Sequence, residues 1–177
     1  MVTQPSGVYV ALGANLSSES HGAPREALEV AIDVLAGAGV PALRRSSWWR
    51  SAPQPAADQP DFINGVIEVA ATLDPGVLLE LLHRIEANFG RVRQQRWEAR
   101  VLDLDLIDYQ GRVQPGRGES GTDAAGAGPV LPHPRVAERL FVLLPLQEIA
   151  PGWRHPVSGV EIATLIRAAE PLNINRL

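Results

Sequence analysis

The sequence predicts an α+β fold, and three observations carry that reading. Short apolar runs closed by Gly or Pro are interleaved with two amphipathic segments of helical period. One stretch, Leu102-Asp103-Leu104-Asp105-Leu106, alternates strictly, as a strand with one buried and one open face must. Beyond it, two further apolar segments read as helices, with no strand period between them.

In chain order, Val8-Tyr9-Val10-Ala11-Leu12 is a buried first strand ended by Gly13, and residues 13–18 form a turn. A helix starts at Pro24, with Leu28, Ala31, Ile32 and Leu35 at helical spacing and Gly37 and Gly39 to stop it. Residues 42–50 read as a second strand. Pro53, Pro55 and Pro60 then forbid regular structure across a semi-rigid loop at 51–60. Phe62 to Thr72 is the third strand. Its odd positions Ile63, Ile67, Val69 and Ala71 make an apolar face, and Phe62, Asn64 and Glu68 project on the other. Asp74-Pro75 supplies an N-cap and a first-turn proline for a helix running to Phe89 and stopped by Gly90. Leu78, Leu82, Ile85 and Phe89 form its core stripe, with Leu81 beside them, while Leu79, His83 and Glu86 lie along one flank. The Asp103/Asp105 strand follows. The order β-α-β-β-α-β is that of a ferredoxin-like core with helices on one face of a sheet. Residues 111–129, rich in Gly, Ala and Pro, form a flexible excursion. Leu131-Pro132-His133-Pro134-Arg135 is a compact turn, Leu140 to Ile149 is a helix despite Pro145, and Glu161 to Ala169 is a last short helix.

A chain of 177 residues without internal repeats is expected to form one domain over 1–177. There is no cysteine, which excludes disulfides, thiol catalysis and thiolate metal sites. All sixteen basic residues are arginine, which excludes a Walker A lysine and a Schiff-base lysine. Phosphate must therefore be met by arginine, backbone amides or metal. A net charge of −4 argues against a general nucleic-acid binder. No apolar run reaches membrane-spanning length and the first residues lack a signal-peptide pattern, so a cytoplasmic location is expected.

Positive charge is concentrated at residues 91–100, where Arg91, Arg93, Arg96 and Arg100 flank Trp97 just ahead of the paired aspartates. Asp103 and Asp105 share a face about 7 Å apart at Cα, and two ionised carboxylates so close need cations or solvent between them. Such a pair suits Mg²⁺ on a polyphosphate, because Mg²⁺ takes few protein carboxylates. Read on their own, Asp-x-Asp also describes a half-exposed strand, and the arginines with Trp97 also describe a single-stranded nucleic-acid module. Phe62 beside Asn64 is a way to hold a flat heterocycle, or a plain sheet-edge aromatic. A different Mg²⁺-dependent nucleotidyl- or phosphotransferase is a further alternative.

Taken together, Ala11-Leu12-Gly13-Ala14-Asn15-Leu16, Asp58 to Asn64, Gly90 to Arg93, Arg96-Trp97, Arg100 to Asp105, Leu131 to Arg135 with Glu138-Arg139 and Phe141, and on through Ile149-Ala150-Pro151 and His155-Pro156, resemble the 6-hydroxymethyl-7,8-dihydropterin pyrophosphokinase family. The resemblance implies transfer of pyrophosphate from ATP to the pterin hydroxymethyl group, releasing AMP, in folate biosynthesis. It implies two Mg²⁺ ions on Asp103 and Asp105, with Arg91 and Arg100 neutralising charge on the transferring group. ATP would be held by Arg93, Arg96, His133 and Arg139, with Leu79, His83 and Glu86 lining the nucleotide side. The pterin would lie between Phe62 and Phe141, read by Asn64, covered by Trp97 and contacted by the backbone of Ser51, Ala52 and Gln54. ATP and the dihydropterin are the expected partners, with no nucleic acid or membrane, and the expected state is a monomer. The chain departs from the family pattern at Glu98-Ala99, where Gly-Pro is usual, at Ala52 and Pro55, and at His83, where Gln is frequent.

Overall fold

The computed structural model describes residues 7–70, 73–90, 99–115 and 128–177. Among them an antiparallel sheet carries helices on both faces. The strands are β1 (Val8–Ala14), β2 (Ala42–Arg45), β3 (Trp49–Ser51), β4 (Phe62–Val69), β5 (Asp103–Tyr109) and β6 (Ile174–Arg176). The helices are α1 (Pro24–Gly37), α2 (Pro75–Asn88), α3 (Leu140–Ile149) and α4 (Ile162–Ala168), with a 3₁₀ turn at Val136–Glu138. The sheet order is β5-β1-β4-β3-β6, and β2 also pairs with β4.

Period-two alternation divides the side chains between two cores. Val8, Val10, Leu12 and Ala14 of β1 pack with Leu104 and Leu106 of β5 beneath α1 and α2, against Leu28, Leu35, Leu78 and Leu82. Tyr9, Ala11, Val66 and Ile107 face α3 and α4 and meet Val142, Leu146, Trp153 and Ile162. Helices α1 and α2 each carry Pro at the first position, and the Glu26 carboxylate accepts the Ala23 N–H at 2.7 Å. Asp74 holds its N-cap place without a side-chain cap bond.

Strand β5 departs from strict alternation at one residue. Asp108 pairs with Tyr9 and Leu106 with Val10, so Ile107 is a bulge and both it and Asp108 face α3. Asp108 is 1% exposed and accepts the Trp153 indole N–H at 2.7 Å and the Gly111 N–H at 2.8 Å. Burial pushes its carboxyl above the usual range, and these donors act against that rise.

Several expectations need correction. The single strand at 42–50 is two, because Ser46 turns its hydroxyl back to accept the Val66 N–H at 3.0 Å and Trp48 lies over Gly65. The strand expected to reach Thr72 ends at Val69, and residues 71–72 lie outside those described. Strand β6 carries no sequence signal: Ile174-Asn175-Arg176 is too short to show a period, and it forms because β3 offers an open edge. The excursion at 111–129 is pinned where Gln114 and Leu131 exchange backbone hydrogen bonds at 2.8 and 2.9 Å, and residues 116–127 lie outside those described. Among the described residues, no helix is long and apolar enough to cross a membrane.

The free edge of β5 is closed by α2. Glu86, 1% exposed, accepts the outward Leu104 N–H at 2.8 Å. Glu86→Ala leaves that amide without its acceptor and is expected to cost about 1–3 kcal/mol, whereas Glu86→Gln keeps an acceptor and costs less. Urea titration of both variants checks the order. Gly65 is a second tight point, since an added Cβ would lie 2.6 and 2.8 Å from Cζ3 and Cε3 of the buried Trp48. Gly65→Ala is therefore expected to lower stability by about 1–3 kcal/mol through overpacking, seen as a lower urea midpoint at unchanged slope.

Candidate active site

A cavity opens where the central strand lacks a side chain. Gly13 of β1 lies opposite Asn64 of β4 on one side and Asp103 of β5 on the other. A Cβ there would stand 3.4 Å from Asn64 Oδ1 and 4.0 Å from Phe62 Cδ1, so glycine keeps this floor clear. Around it the cavity is lined by Ser51, Ala52, Gln54, Pro55, Gln59, Phe62, Asn64, Arg100, Asp103, Asp105, Arg139, Phe141 and Val142, among others.

The two halves of the lining differ in chemistry. On the β3–β4 side are the rings of Phe62 and Phe141 and the carboxamide of Asn64. Asn64 is 4% exposed and donates from Nδ2 to Ser51 Oγ at 2.9 Å, which leaves its Oδ1 as an acceptor beside Gly13. The Gln54 Oε1 is also buried and has no hydrogen-bond partner among the described residues. Both carbonyls await donors, which a flat heterocycle bearing N–H groups supplies.

On the β5 side each carboxylate already has a cation. Arg100 pairs with Asp103, and Arg139 Nη1 lies 3.1 Å from Asp105 Oδ2. The Arg139 guanidinium also stands 5.6 Å from the centre of the Phe141 ring, linking the two halves. His133 Nε2 is 3.9 Å from Asp105 Oδ2. Its Nδ1 accepts the Arg135 N–H at 3.1 Å, so in the neutral ring Nε2 carries the proton and points a donor toward the site. Burial, with Arg139 and Arg135 nearby, pushes its pKa below the usual histidine value against the pull of Asp105 and Asp103.

Asn15 ties the loops around the cavity together. This residue is 3% exposed; its Oδ1 accepts the Arg100 N–H at 2.6 Å, and its Nδ2 donates to Gln59 Oε1 at 3.1 Å and to the Pro60 carbonyl at 3.0 Å. The Asn15 and Leu16 N–H groups in turn donate to the Arg100 carbonyl at 2.9 and 3.1 Å.

Of the residues expected at the site, Ser51, Ala52, Gln54, Phe62, Asn64, Arg100, Asp103, Asp105, Arg139 and Phe141 come together around one cavity, with His133 beside it. Arg91, Arg93, Arg96 and Trp97 lie outside the described residues. Leu79, His83 and Glu86 do not line this cavity. Leu79 packs against the α1/α2 core, and the Glu86 carboxylate is buried against β5. The structure adds Gly13, Asn15 and Gln59. A glycine and an asparagine just past an apolar run were the available signal, but the same pair also marks an ordinary turn.

Comparison with known proteins gives a consistent answer. Residues 9–151 match the family described as 7,8-dihydro-6-hydroxymethylpterin-pyrophosphokinase. A 2-amino-4-hydroxy-6-hydroxymethyldihydropteridine pyrophosphokinase of Synechocystis sp. is 40% identical over 168 residues, covering 94% of this chain and 78% of the relative. Proteins with the same description from Pseudomonas aeruginosa and Methylorubrum extorquens are 38% and 34% identical, with 96% of this chain and 96% and 97% of the relatives covered. The cavity with an aromatic–amide side and an acid–arginine side thus lies in a chain that belongs to the 7,8-dihydro-6-hydroxymethylpterin-pyrophosphokinase family.

Proposed function

We propose that the Gly13 cavity is the active centre in which this chain joins its two substrates. The activity follows from the family: pyrophosphate passes from ATP to the hydroxymethyldihydropterin in folate synthesis. The observation that carries the site is the meeting, over one floor, of an aromatic–amide wall and an acid–arginine wall.

The dihydropterin occupies the first wall. Its flat ring lies between Phe62 and Phe141, and its N–H groups meet the acceptors of Asn64 and Gln54, with the Ser51–Ala52 backbone alongside. ATP lies on the second wall, where Arg100, Arg139 and His133 face the triphosphate with Arg91, Arg93 and Arg96, while Trp97 covers the pterin. Leu79, His83 and Glu86 mark the nucleotide side of α2, with Glu86 acting by holding β5. Transfer needs the hydroxymethyl oxygen in line with the β-phosphorus. The O–P bond forms as the bond from the β-phosphorus to the bridging α–β oxygen breaks; AMP leaves with that oxygen, and the hydroxyl proton passes to Asp105 or to water. What the residues supply is positioning and charge neutralisation.

The donor set fits a hard divalent cation. Asp103 and Asp105 present carboxylates on one cavity-facing side of β5, and among the described residues no group of three or more His, Cys, Asp and Glu could hold a metal alone. Phosphate oxygens and water would complete the coordination, as Mg²⁺ prefers. Two Mg²⁺ ions held there would neutralise phosphate charge. The strand order β5-β1-β4 with β2 and β3 beyond β4 supports a ferredoxin-like core extended by β6, α3 and α4. We read residues 1–177 as a single domain, working as a monomer in the cytoplasm, where its ATP is available.

AMP should appear only when protein, Mg-ATP and the hydroxymethyldihydropterin are all present; AMP formed without the pterin would point to another transferase, and salt-sensitive oligonucleotide binding without Mg²⁺ to a nucleic-acid module. Arg100→Ala should keep the fold, because the Arg100 backbone rather than its guanidinium holds Asn15. The variant is expected to lose roughly 10²–10⁴ in kcat, the range for removing one charge-stabilising group. Asp103→Asn should raise the Mg²⁺ concentration needed for nucleotide binding; unchanged Mg²⁺ titrations would remove Asp103 from the metal site.

A further inference from the structure

Strand β6 lies beyond residues 9–151, which the family match covers, yet it pairs with the strand that leads into the cavity. Trp49, Arg50 and Ser51 of β3 stand opposite Arg176, Asn175 and Ile174. The Ala52 N–H donates to the Asn173 carbonyl at 3.0 Å and the Leu177 N–H to the Trp48 carbonyl at 2.9 Å. Antiparallel alternation makes Arg50 and Asn175 the hydrogen-bonded pair between these two. Side chains lock the ribbon as well. Arg176 Nε donates to Ser47 Oγ at 2.9 Å and lies 3.5 Å from Glu148 Oε1, while the same Glu148 accepts the Ser47 N–H at 2.7 Å and the Trp49 indole N–H at 3.0 Å.

Without β6, the three-residue strand β3 would be an edge held only by β4, and the Ala52 amide would lose its acceptor. The consequence reaches the cavity directly, because Ser51 and Ala52 line it and Ser51 Oγ fixes the Asn64 carboxamide with Oδ1 turned inward. At the far end of the sheet, Asp103 and Asp105 belong to β5, three strands away from β3.

We propose that residues 173–177 are a positioning strap for the pterin-recognising wall, holding the Ser51–Ala52 backbone and, through Ser51, the orientation of Asn64. The strap rests on the reading of that wall as the pterin side. It acts on one substrate only, since the nucleotide side is built on β5 and the 131–139 segment.

Two variants test it: the chain ending at Leu172, and Asn175→Pro, which removes one ladder N–H and leaves the rest of the segment in place. KM for each substrate and kcat are measured, with Asn64→Leu as the control on the wall itself. The strap predicts a KM for the pterin raised about tenfold or more, with KM for ATP and kcat within about twofold, the pattern of lost ground-state binding on one side. Should the shortened chain fail to fold, Asn175→Pro decides. A pterin KM within about twofold of the full chain, or both KM values rising together, overturns the strap. If Asn64→Leu also leaves the pterin KM unchanged, the wall assignment fails; if Asn64→Leu raises it and the strap variants do not, the strap alone fails.

Discussion

Strand β1 is constrained more tightly than any other part of this protein. All seven of its residues are buried, it pairs along both edges, and helices cover both faces of the sheet. A strand in that position has no free surface on which to carry function. The protein meets the constraint by leaving out a side chain at Gly13, so that the sheet is open at one point and chemistry is supplied by the neighbours on either side. Asn64 comes from β4 and Asp103 from β5, at the same level of the ladder. In the proposed reading of the cavity the two substrates meet across the width of a single strand, the closeness that a direct group transfer requires.

The charged half of the cavity is balanced internally. Two adjacent carboxylates are tolerated because Arg100 and Arg139 each pair with one of them, and both arginines retain donors in their fork for further oxygens. The aromatic half is coupled to this balance, since Arg139 also lies against Phe141. His133 contributes a donor without adding a charge, because burial keeps the ring neutral. A site assembled from arginine alone has cations that do not titrate in the physiological range.

What could be read in the sequence was what repeats. Leu102, Leu104 and Leu106 against Asp103 and Asp105, or Ile63 and Ile67 against Phe62 and Asn64, declare their faces through a period of two. The stripes of α1 and α2 do so through helical spacing. Those patterns put Asp103 with Asp105, and Phe62 with Asn64, on a common face of each strand; that the two faces meet across β1 is a property of the sheet order and register. The unreadable parts were single contacts between distant segments. Nothing local to Glu86 reveals that its carboxylate closes the edge of β5, since a helix-flank glutamate is ordinarily solvated. Ser46 breaks a strand because of Val66, and Ile174-Asn175-Arg176 becomes a strand because of β3. Asn15 shows the same limit, as its bonds reach Arg100, Gln59 and Pro60, all more than forty residues away.

The bulge at Ile107 separates two tasks on one strand. Residues before it keep one phase, with carboxylates toward the cavity; the added residue shifts the phase, so Asp108 turns to Trp153 instead of entering the leucine core under α2. The cavity end and the anchoring end of β5 are thus out of step with each other through the backbone itself. The same residues in a strand without the bulge would alternate strictly and drive the Asp108 carboxylate into the apolar side, while leaving Asp103 and Asp105 where they are. In an alignment of related chains, a gap at 107 would remove the bulge and leave the face of every other β5 side chain unchanged, whereas a gap on either side of it would not be so neutral.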